Sequence, residues 1–181
     1  MTAPLILVVG PSGVGKDTLL AGARAALADD PAFVFARRDI TRPPDPGGEP
    51  HNPVSAAEFA AIAARGGYLL HWQAHGLSYG LPIALEQARQ QGRTVVANGS
   101  RATIAEARAR LTPLRLVAVT APPALLRARL AARGRETAPE IDARVARAAA
   151  HPVSGDDVIE VVNAGTVEDG VAALIAALRR P

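Results

Sequence analysis

Near the start of the chain an apolar run, Leu5-Ile6-Leu7-Val8-Val9, leads straight into Gly10-Pro11-Ser12-Gly13-Val14-Gly15-Lys16-Asp17-Thr18. Nothing else in the sequence constrains the fold as tightly. An unbroken apolar run reads as a strand buried on both faces of a parallel sheet. Glycines at 10, 13 and 15, with lysine at 16, match a turn whose backbone N–H groups cradle phosphate oxygens. A helix starting at 16 adds the positive end of its dipole. Lys16 supplies a compact charge that reaches β- and γ-phosphates. The chain has 20 lysines and arginines, and Lys16 is its one lysine. A composition otherwise given over to arginine keeps an ammonium here, which points to geometry that no guanidinium satisfies. The alternative, a chance glycine-rich turn, leaves the flanking strand and helix unexplained.

The position after the lysine carries a Ser or Thr hydroxyl for Mg²⁺ in most such loops. Here it is Asp17, followed by Thr18. Two readings stand. A carboxylate is a strong ligand for a hard cation such as Mg²⁺. An acidic residue in a helix's first turn is also favoured by the dipole alone.

Periodicity predicts strands over 5–10, 33–40, 68–73, 94–97, 115–120 and 158–162. It predicts helices over 16–28, 55–65, 82–91, 101–111, 122–133, 139–150 and 167–178. Ser55 and Glu58 form a capping box at one helix start, and residues 75–80 read as a turn. Buried strands alternating with helices imply an α/β fold, a parallel sheet with helices on both faces. Right-handed crossovers place the phosphate loop at the sheet's carboxyl edge.

The expected organisation is one domain over 1–181, with a core of 1–32 and 92–181 and an insertion over 33–91. Within that insertion, 41–53 is a Pro/Gly-rich stretch. It is either a disordered linker or a functional loop. The flanking Arg37, Arg38 and Arg42 favour anion binding. Around Gly134 a pair of helices carries Arg127, Arg129, Arg133, Arg135, Arg144 and Arg147, and residues 125–147 are expected to act as a lid.

Composition excludes several classes. With no cysteine, neither a disulfide framework nor a cysteine metal site can form. No apolar run approaches the ~20 residues of a membrane span, and the N-terminus lacks a basic leader pattern. A cytoplasmic protein is expected, with no membrane partner. Net charge is only +3 and aromatics are 3%, too few for base stacking, so no nucleic-acid partner is expected. A homodimer is left open.

The order of phosphate loop, Thr41-Arg42, Tyr79-Gly80, short strand and arginine-rich lid resembles guanylate kinases. The ribose 1,5-bisphosphate phosphokinase branch is more similar still, over nearly the whole chain. Its pieces here are Gly-Pro-Ser-Gly-Val-Gly-Lys-Asp (10–17), Ile-Thr-Arg-Pro (40–43), Val-Ala-Asn-Gly-Ser-Arg (96–101) and Arg-Gly-Arg-Glu (133–136). The resemblance implies an ATP- and Mg²⁺-dependent kinase that makes phosphoribosyl diphosphate from the sugar bisphosphate during phosphonate use. Three departures from guanylate kinases count against GMP as acceptor. His71 stands where a guanine-reading Glu is expected, Asp45 where a second loop arginine is expected, and Asn98 where an aspartate ends the middle strand.

The resemblance implies roles for particular residues. Gly10 to Thr18 hold the nucleotide, with Gly13, Gly15 and Lys16 on the β- and γ-phosphates and Thr18 on the α-phosphate. Lys16, Arg42, Arg133 and Arg144 are the catalytic cations, and Asp17 is the candidate metal ligand. Arg38, Arg42, His71, Tyr79 and Arg101 are the acceptor-binding candidates, with His75 a weaker one. A packed strand histidine is the other reading of His71, and a solvated helix face the other reading of the lid arginines. A nucleoside monophosphate kinase and a non-catalytic binding module are the alternatives.

Overall fold

The computed structural model describes residues 1–44 and 49–180; Asp45, one of the three departures, lies outside the described residues. Five strands form a parallel sheet: β2 (Phe33–Phe35), β7 (Thr94–Asn98), β1 (Leu5–Val9), β8 (Leu114–Thr120) and β9 (Val158–Val162), in that order. A smaller sheet has the order β4 (Asn52–Pro53), β3 (Asp39–Ile40), β6 (Leu77–Pro82), β5 (Tyr68–Ala74). The chain divides into two compact units. One is Met1–Leu7 with Leu27–Arg115, the other Val8–Ala26 with Leu116–Pro181. All five residues of β1 have zero exposure, as an apolar strand covered on both faces requires.

In the first unit the predicted strand 33–40 is two strands in two sheets. Phe33 to Phe35 pair in parallel with Thr94 to Val96, and the Ala36 N–H donates to the Val96 carbonyl at 2.8 Å. The chain then leaves that sheet, because Arg37 is exposed and the Arg38 side chain turns toward Glu49. It rejoins pairing as β3, antiparallel to β6 and parallel to β4.

The predicted turn over 75–80 is also corrected. The turn itself is only His75 (φ 53°) and Gly76 (φ 75°), between the paired Ala74 and Leu77. Positive φ at both central residues is the two-residue hairpin geometry that matches strand twist. Residues 77–82 are β6, whose Gly and Ser residues hide its strand character. Pro82 ends that strand instead of opening a helix, and helix α3 begins later (Leu85–Gln90). Helix α2 (Ala56–Ala64) starts as predicted. The Ser55 side chain accepts from the Glu58 N–H at 3.1 Å, and the Glu58 carboxylate accepts from the Ser55 N–H at 2.8 Å. The Ser55 N–H first, and next the Ser55 side chain, hold the Glu58 carboxyl below its usual range. The predicted helix 101–111 is a 3-10 turn (Arg101–Thr103) running into α4 (Ile104–Arg110).

The second unit holds α1 (Lys16–Ala26), α5 (Pro123–Ala132), α6 (Ala138–Ala150) and α7 (Val167–Leu178). Helices α1 and α7 approach closely through one glycine each. A Cβ on Gly22 would stand 2.4 Å from Val171, and one on Gly170 2.7 Å from Leu19. Helices α5 and α6 share an apolar cluster of Leu126, Leu130, Ile141 and Val145, with Ala148 packed against it. Each such buried side chain is worth about 1.5–3 kcal/mol. The described residues hold no helix long and apolar enough to cross a membrane.

Candidate functional site

The phosphate loop lies in the second unit. Between β1 and α1 the backbone turns through Gly13 (φ 90°) and Gly15 (φ 92°), a conformation L side chains rarely adopt. Gly10 is fixed by close approach, since a Cβ there would meet the Val119 carbonyl at 2.6 Å. Turns of this kind can present successive backbone N–H groups to an anion. Two side chains brace the loop from behind. Asn163, buried at the end of β9, donates to the Val14 carbonyl at 2.8 Å, and Arg129 of α5 donates to the same oxygen at 3.0 Å. Asn163 is not among the candidate residues, and Arg129 is one of the expected lid arginines, here turned onto the loop's backbone. The one sequence signal for Asn163 is a polar residue directly after Val161-Val162.

Around the loop, Val14 is buried, Pro11 half-buried, and Ser12 and Thr18 exposed. The Lys16 side chain is largely enclosed, and its ammonium sits 3.6 Å from the carboxylate of the exposed Asp17. Among the described residues no three His, Asp or Glu side chains gather into a metal cluster. One exposed carboxylate beside a phosphate cradle nevertheless suits Mg²⁺. That ion keeps several waters and is usually held by one or two carboxylates plus substrate phosphates.

The lid candidates differ from one another. Arg133 caps α5 and is exposed, as are Arg127 and Arg147. Arg127 pairs with Asp142 of α6. Arg144 is half-buried with its guanidinium 3.2 Å from Glu136, whose other carboxylate oxygen is buried and makes no hydrogen bond among the described residues. The Thr137 N–H and hydroxyl both donate to Glu140 at the start of α6. The backbone bond first, then the side-chain bond, holds the Glu140 carboxyl below its usual range.

The first unit holds the acceptor-side candidates. Thr41 and Ser78 lock together: the Thr41 N–H donates to the Ser78 carbonyl at 3.1 Å, and the Ser78 N–H to Thr41 Oγ1 at 2.8 Å. Arg42 follows, with its Nε buried and making no hydrogen bond among the described residues. Such a donor is costly to bury unless something accepts from it. The His51 ring spans the loop ends, Nδ1 3.0 Å from the Glu49 carbonyl and Nε2 3.0 Å from the Arg42 carbonyl.

Arg38 and Tyr79 come together. The Arg38 guanidinium lies 5.0 Å from the Tyr79 ring and 5.6 Å from Trp72, and those two rings stack. Arg38 is buried and its fork is engaged by Glu49. His71 neighbours Trp72 on β5, so the strand's alternation sends it to the opposite face. There it is exposed, with its ring 6.2 Å from Phe59 and 6.1 Å from Tyr68. His75 is the hairpin residue already described. Arg101 is half-buried in the 3-10 turn after β7.

Tyr68 explains the glycine at position 80. A Cβ on Gly80 would stand 2.5 Å from the Tyr68 ring, so only glycine lets that ring lie across β6. The Tyr68 hydroxyl thereby reaches Asp39 on β3 at 3.1 Å, and Asn52 donates to the other Asp39 oxygen at 3.0 Å. Burial, and next the Asp39 charge, push the Tyr68 hydroxyl well above its usual pKa.

No family model matches the chain. The chain is 55% identical over 176 residues to ribose 1,5-bisphosphate phosphokinase PhnN of Acidiphilium cryptum, covering 97% of this chain and 92% of that protein. It is 50% identical over 171 residues to the bifunctional ribose 1,5-bisphosphokinase-thymidine phosphorylase of Azorhizobium caulinodans. That match covers 94% of this chain and 25% of the bifunctional protein, so the chain spans a quarter of that relative's length. Its fold is similar to guanylate kinase from Anaplasma phagocytophilum, with a TM-score of 0.64 at 19% identity, covering 98% of this chain and 85% of that one.

Proposed function

The chain belongs to the ribose 1,5-bisphosphate phosphokinase PhnN family, and we propose that it moves the γ-phosphoryl group of ATP onto the C1-phosphate of ribose 1,5-bisphosphate. The products are 5-phosphoribosyl 1-diphosphate and ADP. A C1-phosphate oxygen attacks the γ-phosphorus. The bond from that phosphorus to the β,γ-bridging oxygen breaks, and ADP leaves with the electron pair. The attacking oxygen is already anionic near neutral pH, so no side chain has to remove a proton. Catalysis is positioning and neutralisation of spread charge.

The chain's own groups fit those tasks. The backbone cradle from Gly10 to Gly15 and the enclosed Lys16 would bind the β- and γ-phosphates, with Thr18 near the α-phosphate. Arg133 and Arg144, on a lid over 125–147, would close on the transferring group through guanidinium contacts. Arg42 would take an acceptor phosphate through its guanidinium, whose buried Nε finds no acceptor among the described residues. Mg²⁺ bound with the nucleotide would neutralise phosphate charge, and Asp17 is the residue to hold it. Residues 33–91 are the acceptor-binding insertion in this reading.

The observation that carries the reading is 55% identity along nearly the full length of a protein of this name. The guanylate-kinase alternative is weaker, because an imidazole at 71 replaces the carboxylate that accepts from guanine N–H groups. Initial rates of ADP formation with ribose 1,5-bisphosphate and with GMP test it. The expected result is turnover of the sugar bisphosphate with phosphoribosyl diphosphate as product. Turnover of GMP alone overturns the assignment.

A further inference from the structure

Glu49 sits among charges that answer one another inside the first unit. Its side chain is 13% exposed and that of Arg38 10%. Oε1 accepts from Arg38 Nε at 3.1 Å; Oε2 accepts from Arg38 Nη2 and, at 2.7 Å, from Asn98 Nδ2. The guanidinium also lies near the stacked Trp72 and Tyr79 rings. An anion at its edge and π-faces beside it satisfy this cation without a ligand.

We propose that Glu49 is a positioning residue for the acceptor, held by Arg38 and Asn98 throughout turnover. It fixes the loop end whose backbone His51 joins to Arg42. Arg42, and not Arg38, is then the guanidinium that meets the acceptor. The inference rests on the kinase reading above. Arg38 serves the site at one remove, by holding a carboxylate.

The arrangement also gives Asn98 a physical reason. Guanylate kinases carry an aspartate there, according to the resemblance. An aspartate at 98 would set one carboxylate against another at hydrogen-bond distance, and like charges that close disfavour each other's ionised forms. The amide supplies a donor where a second anion would repel. The competing picture is that the acceptor phosphate displaces Glu49 from Arg38. Displacement would leave a largely enclosed carboxylate without its cation, which is costly.

Four proteins test this: wild type, Glu49→Gln, Asn98→Asp and the double variant. In the double variant the glutamine amide can donate to the aspartate while its carbonyl accepts from Arg38. KM for ribose 1,5-bisphosphate and for ATP is measured in each. Amide hydrogen exchange is followed at Asn52 and Val54, which donate to the Arg38 and Ile40 carbonyls. Each single variant should raise the acceptor KM about tenfold and leave that for ATP within about twofold. Exchange protection at Asn52 and Val54 should fall in the singles, and the double variant should recover most of both losses.

A lower acceptor KM in Glu49→Gln would mean that the carboxylate competes with substrate, and would overturn the proposal. So would a double variant no better than Asn98→Asp, or exchange unchanged in the singles. Should Asn98→Asp fail to fold, Glu49→Gln carries the same KM and exchange tests alone. A wild type that ignores the sugar bisphosphate defeats the kinase reading instead, and the exchange arm still judges the network.

Discussion

Asn163 reaches back from the end of β9 to donate to the Val14 carbonyl at 2.8 Å, tying the last strand of the sheet to a loop near the start of the chain. Its ring of neighbours is tight. A Cβ on Gly15 would stand 2.6 Å from its Nδ2, and one on Gly170 2.8 Å from its Oδ1. Asn163 is 5% exposed.

Asn163→Asp puts a carboxylate against the carbonyl that the amide now serves. Unfolding free energy is expected to fall by about 1–3 kcal/mol. The rise in Tm produced by ATP with Mg²⁺ should shrink, because ligand stabilisation tracks affinity for the folded state. Denaturant titration and thermal unfolding with and without nucleotide measure the two effects. An unchanged nucleotide-induced shift would show that Arg129 alone braces the loop.

The Asp17 side chain is 66% exposed beside the enclosed Lys16. If that carboxylate holds the metal, Asp17→Asn raises the Mg²⁺ concentration for half-maximal activity about tenfold. The KM for ATP at saturating Mg²⁺ should stay nearly constant. A Mg²⁺ titration of initial rate decides it, and identical curves for the two proteins would reduce Asp17 to a first-turn helix residue.

Tyr68 gives the protein an alkaline limit. Its hydroxyl holds its proton more tightly in the folded chain than in the unfolded one. Below pH about 10 it is neutral in both states and the contribution is fully present. As pH rises past that value the unfolded chain ionises first, so stability falls. Tyr68→Phe should flatten that decline and cost about 1–2 kcal/mol near neutral pH, since Asp39 loses a donor. Urea unfolding at a series of pH values from neutral to alkaline measures both; parallel curves for the two proteins would exclude Tyr68 as the source.

Much of the fold was legible because its signals are short-range. Leu5 to Val9 cannot be anything but a covered strand. The glycines at 13 and 15 announce their positive φ, and the box of Ser55 and Glu58 forms as spaced. The misread stretches were those whose state depends on a distant partner. Phe33 to Ile40 looks continuous until Val96 claims one end and β6 the other. Leu77 to Pro82 carries turn residues and becomes a strand because β5 and β3 flank it.

The candidate site divides in the same way. Lys16 and the glycines around it are recognisable by spacing alone. Nothing local distinguishes Arg38 from Arg42, yet one is neutralised by Glu49 and the other keeps a buried Nε with no acceptor among the described residues. Nor does the sequence say that His71 and Trp72 serve opposite faces of one hairpin until the strand exists.

The sequence alone determined that this chain makes a phosphate-binding turn between strand and helix, since backbone angles and apolar runs are properties of neighbouring residues. Only the tertiary structure decided which side chains brace that turn and which cation a carboxylate neutralises. Asn163, Arg129, Glu49 and Asn98 act on groups far away in the chain, and such pairings exist only once folding has brought their ends together.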